Sequence, residues 1–187
     1  MSRVSKGTAW ALATGLSLLV LAAPVQAKAK TERIVAGHAT VKPSLEITAF
    51  LRSRGIAVTP IGGMKVGNGW LTMPMVGGQM QVPTMQGTMD TGGGLEYTNG
   101  SKKVVVHDYR LTHVGHVGKL TAVVNGHRIL IATMSAPTAH MSGQIGTMSG
   151  GLKLSAACAH LINQLVGMQV VHPGEDLGEL SATIKMQ

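Results

Sequence analysis

The sequence predicts a mainly β protein, an antiparallel β-sandwich or curled sheet carrying two short helices, over about residues 44–54 and 153–166. Three observations lead there. Asn99-Gly100 and Asn125-Gly126 each sit between extended runs, a strong local signal for a tight hairpin. Glycine and proline cut most of the remaining chain into short pieces. Only two stretches space their apolar residues as a helix does.

Residues 1–27 read as an export signal, with Arg3 and Lys6 ahead of an apolar run and Pro24-Val25-Gln26-Ala27 as a cleavage site ending at Ala27. The apolar run is short for a membrane span and is followed at once by Lys28 and Lys30, so no transmembrane anchor is expected after cleavage. Residues 28–42 read as a flexible polar lead, and 43–187 as a single β-rich domain.

Pro43-Ser44 opens the first helix, Leu45 to Ser53, and Gly55 stops it. Ile56 to Ile61 reads as a short strand. From Gly69 to Met89 the chain reads as short extended pieces, among them Trp70–Met73 and Gln79–Val82. Residues 94–134 form a four-strand antiparallel meander, turning at the two Asn-Gly pairs and at Gly115-His116. Ala136 to Gly151, rich in Gly, Ser, Thr and Met, reads as a loop or irregular edge strand. The second helix places Leu154, Ala157, Leu161 and Leu165 on one stripe, with Ser155 as N-cap and Gly167 just past its end. Leu180 to Ile184 is the last strand.

Composition narrows the function. The 187 residues are 44% hydrophobic and 13% charged, which excludes a disordered chain. A lone Cys158 excludes an internal disulfide framework, and its apolar surroundings read as a buried small hydrophobe. The net charge of +8 comes from scattered pairs such as Arg52/Arg54 and Lys102/Lys103, with no interleaved aromatics. That pattern argues against nucleic acid and for a salt-sensitive attraction to anionic wall or envelope polymers. There is no nucleophile elbow, phosphate loop or His-Glu-x-x-His motif, so no enzyme is expected.

Gly93-Gly94-Leu95-Glu96-Tyr97, Val104 to Leu111 and Gly115-His116-Val117-Gly118-Lys119-Leu120 together resemble the HtaA-type domain of secreted haem-uptake proteins. Leu152 to Ala157, Leu161-Ile162-Asn163 and Gly174 to Leu180 extend the likeness over residues 43–184, and related exported proteins of high-GC Gram-positive bacteria are similar. The resemblance implies a secreted or envelope-associated haem-binding module that works with other haem-uptake proteins. It also implies iron ligation by a Tyr near the start of the domain, supported by a His in the central strands. His116 stands where that His would be. Residues 43–56 hold Phe50 and no Tyr, so the phenolate does not carry over.

His116, His113 and Tyr109 are the expected haem contacts. His107, His113, His116 and His127 fall on neighbouring strands, and His107 and His113 share a face if no bulge intervenes. They read more readily as solvated or singly hydrogen-bonded histidines on an exposed sheet face. Met73, Met75 and His107 make an alternative copper site, since soft thioethers select Cu(I). With so few aromatics, those methionines also read as core filler. The function expected is an exported, non-enzymatic envelope domain binding haem or iron. The alternatives are a structural surface protein with no ligand and a Met/His copper binder.

Overall fold

The computed structural model describes residues 29–187; the export signal expected over residues 1–27 lies outside them. The elements run β1 Lys30–Pro43, α1 Leu45–Ser53, β2 Ala57–Ile61, β3 Lys65–Gly67, β4 Trp70–Val82, β5 Gln86–Thr91, β6 Gly94–Asn99 and β7 Lys102–Val114. They continue with β8 Val117–Val124, β9 His127–Ser135, β10 Thr138–Ser142, β11 Ile145–Leu154, α2 Ala156–Val166 and β12 Asp176–Met186. Both helices and the meander lie where the sequence places them. Among the described residues, no helix is long and apolar enough to cross a membrane.

The antiparallel sheet curls until it closes into a barrel, so it is not a sandwich. Antiparallel pairing passes from β7 through β5, β4, β1, β12, β11, β9 and β8, and β8 returns to β7. Eight strands enclose an interior just wide enough to be filled by side chains or to hold one small ligand. Closure depends on two segments that the sequence predicts as a flexible lead and as a loop or irregular edge strand. Residues expected as a flexible lead form β1, paired with β4 on one edge and β12 on the other. The Gly/Ser/Thr/Met stretch supplies β11, in which Gly146, Met148, Gly150, Leu152 and Leu154 alternate inward. Its glycines hid that alternation, yet two of them make room for methionines. A Cβ on Gly146 would lie 2.7 Å from Met85 Sδ, and one on Gly150 2.7 Å from Met134 Sδ.

The interior has two halves. At the end holding the β7–β8 turn, Met80, Met85, Met89, Met134, Met148 and Met186 are almost wholly buried and fill the barrel. At the other end the wall splays. β5 and β6 follow one another along the same edge of β7, but β4 pairs with β5 and not with β6, and β6 pairs outward with β2. Gly93 permits the divergence: its φ is +81°, and a Cβ there would press to 2.7 Å on the Gly62 carbonyl and the Met64 amide. The gap is covered by α1, β2, β3 and α2.

Candidate functional site

The splayed end encloses a cavity of about 430 Å³. Its walls are aliphatic side chains from the barrel, such as Val41, Leu95, Val106 and Leu120, together with Ile47 and Leu51 of α1 and Leu161 and Leu165 of α2. This volume lies within the roughly 300–1,000 Å³ of small-molecule sites. Among the charged side chains of the described residues, Arg52 of α1 alone lines it, exposed at the rim.

Both helices are anchored at their ends. The Ser44 hydroxyl accepts from the Ile47 amide and donates to the Asp176 carbonyl, holding the start of α1 against β12. No α1 residue is fully buried, so the helix covers the cavity without filling it. The Ser155 hydroxyl likewise accepts from the Cys158 amide and donates to the Leu130 carbonyl. Gly167 ends α2 in the left-handed region at φ 83°. Lys102 Nζ and Asn99 Nδ2 donate to the Gln164 and Leu165 carbonyls, tying the end of α2 to the β6–β7 hairpin.

Besides Thr48 and Arg52 of α1, the polar groups of the wall are Tyr97 of β6, Tyr109 of β7 and Cys158 of α2. Tyr109 is 7% exposed. Among the described residues no hydrogen bond reaches either phenol. Among the described residues no side-chain oxygen or nitrogen sealed from solvent lacks a partner, so each hydroxyl keeps some access to solvent-sized space, and both residues line the cavity. Burial pushes both phenols above their ordinary range, and each lies near enough to Cys158 to be raised further. Burial also drives the Cys158 thiol up to about 12. All three are therefore neutral at physiological pH.

The expected site residues do not converge. Tyr109 lines the cavity. His113, four residues and roughly 13 Å further along β7, is buried at the methionine-filled end, its Nδ1 2.6 Å from the Met85 carbonyl. His116 is exposed in the β7–β8 turn, away from the cavity. His107 and His113 do not share a face. A bulge at Asp108, φ +52°, shifts the register between His107 and Arg110, so His107 points outward and bonds Asp108 at 2.9 Å. Met73 lines the cavity and accepts a 3.7 Å hydrogen bond from Thr91, while Met75 packs at the edge of the core. Met73 and Met75 thus lie on the inner side of the wall and His107 on the outer. Among the described residues no three His, Cys, Asp or Glu side chains cluster as a metal site. Tyr97, Cys158 and Arg52 were not singled out as site residues. Tyr97 alternates with cavity-lining Leu95, and Cys158 shares a helical stripe with Leu161 and Leu165, which is the only signal the sequence carries for them.

The fold has solved counterparts. The C-terminal domain of HtaA from Corynebacterium glutamicum superposes with a TM-score of 0.71 at 15% identity, covering 83% of this chain and 99% of that domain. The fold is that of an HtaA domain. The N-terminal domain of the same protein gives a TM-score of 0.65 at 13% identity, over 82% of this chain and 98% of that one. The heme binding protein HtaB of that organism gives 0.59 at 14% identity, over 85% and 96%. No sequence-family model matches the chain, and no curated relative does either.

Proposed function

We propose that this chain is an exported, non-enzymatic binding domain that holds haem in the cavity between α1, α2 and the splayed end of the barrel. The observation that carries the reading is an apolar, ligand-sized cavity whose wall bears two unpartnered phenols. HtaB, a heme binding protein of the same fold, supports the choice of ligand. The groups present fit haem: phenol, thiol and thioether are side chains that ligate haem iron, and here they are Tyr97, Tyr109, Cys158, Met64 and Met73. The aliphatic walls suit a porphyrin face, and Arg52 at the rim suits a propionate. Other haem-uptake proteins are the natural partners for transfer, with the cell envelope as the setting, where scattered basic side chains meet anionic polymers.

The test is absorbance of the purified chain titrated with haemin, with elemental analysis of the protein as isolated. Saturable 1:1 uptake with a shifted Soret band supports the reading. An unchanged haemin spectrum contradicts it, and copper in the isolated protein would favour the methionine site instead.

A further inference from the structure

The resemblance noted above implies a tyrosine ligand near the start of the domain, and residues 43–56 of this chain have none. The cavity offers a substitute built from other elements. We propose that Tyr97, Tyr109 and Cys158 form an inner polar pole at which the Tyr109 oxygen takes the iron of bound haem. This rests on the haem reading above and assigns the pole within it.

Tyr109 is favoured over the other phenol, the half-buried Tyr97, by its setting. It is more than nine-tenths buried, it lines the cavity, and its hydroxyl has no hydrogen-bond partner among the described residues. Its backbone is held on both sides. The Tyr109 carbonyl accepts from Thr91 Oγ1, and the carbonyl of the preceding Asp108 accepts from Arg128 Nη1 at 2.9 Å. A phenol kept neutral by burial gives up its proton to solvent as the iron–oxygen bond forms, so the iron supplies the positive charge that the apolar wall lacks. Tyr97 and Cys158 remain protonated beside it and can donate to the bound oxygen. Arg52, the exposed cation of the lining, is suited to the ligand's carboxylates.

The experiment compares haemin with metal-free protoporphyrin IX on the full chain, on Tyr109→Phe, and on Tyr97→Phe and Cys158→Ala. Haemin should bind at least roughly tenfold more tightly than protoporphyrin and show a phenolate-to-iron charge-transfer band. Tyr109→Phe should abolish that band and lower haemin affinity to the protoporphyrin level. Unchanged protoporphyrin binding would show that this variant is folded with its cavity intact. Tyr97→Phe and Cys158→Ala should keep the band. Tyr109→Phe with the parent's haemin spectrum and affinity overturns the assignment, as does a band lost with Tyr97→Phe or Cys158→Ala. Equal binding of the two porphyrins overturns the pole and leaves the cavity reading standing, whereas binding of neither overturns both.

Discussion

The left-handed backbone of Asp108 is what turns Tyr109 into the cavity. Val104 and Val106 point inward from β7, and without the extra residue the next inward positions would be Asp108, Arg110 and Thr112. The bulge reverses the alternation, so Tyr109, Leu111 and His113 face inward while Arg110 meets Asp90 on the outer surface at 2.5 Å.

Replacements at Asp108 should therefore be graded by their tolerance of positive φ. Asp108→Gly should stay within about 1 kcal/mol of the parent, since the exposed His107–Asp108 pair contributes little. Asp108→Val should cost about 1–3 kcal/mol, because a β-branched residue is strained there. Urea unfolding of the three proteins checks this; equal stability of Gly and Val variants would remove the bulge from the account.

Tyr109→Phe should leave the ligand-free protein as stable as the parent, or more stable by up to about 1 kcal/mol, because the phenol has no partner to lose. The same denaturation measurement reads it. A clear loss of stability would mean that the hydroxyl is bonded within the fold.

Alkaline pH should weaken the ligand-free protein through the same cluster. Cys158 loses its proton near 9.0 when unfolded and at about 12 when folded. The two phenols are raised in the same direction by burial. A raised folded value means the native state keeps protons that the unfolded chain releases, so stability is full below about pH 9 and falls as pH climbs toward the folded values. Unfolding followed from pH 8 to 11 should show that decline, made shallower by Cys158→Ala. An identical slope in the variant would contradict a buried thiol.

The glycines of β11 should separate by what their missing side chains would meet. Gly150→Ala pushes on Met134, which is fully buried, and should cost about 1–3 kcal/mol. Gly151→Ala, with open space around it, should be neutral or stabilising by about 0.5–1 kcal/mol. Thermal melts of the two variants decide it, and the reverse order would contradict the packing described.

How far the fold could be read from sequence follows from where its signals are local. Hairpins at Asn99-Gly100 and Asn125-Gly126 and the caps Ser44, Ser155 and Gly167 are written within a few residues of the structures they make, and each is found in place. Barrel closure is not local. It depends on β1 pairing with β12 across the length of the chain, and on β11, whose inward glycines look like a loop until Met85 and Met134 are seen filling the space they leave. The site was hidden for a related reason. A strict two-residue alternation places His107 and His113 together and Tyr109 with them, and only the unannounced bulge at Asp108 separates the first pair and sends Tyr109 to Tyr97 and Cys158. His116 was conspicuous because it stands between glycines, a setting that makes a turn.

The most direct test of the cavity as the haem site is haemin titration of the parent, His116→Ala and Ile47→Trp, the last placing an indole in the cavity from a helix with no fully buried residue. The parent and His116→Ala should take up one equivalent with the same Soret shift, and Ile47→Trp should take up none while melting as a folded protein. Haemin uptake that survives Ile47→Trp and is lost in His116→Ala would place the ligand at the β7–β8 turn and contradict the account.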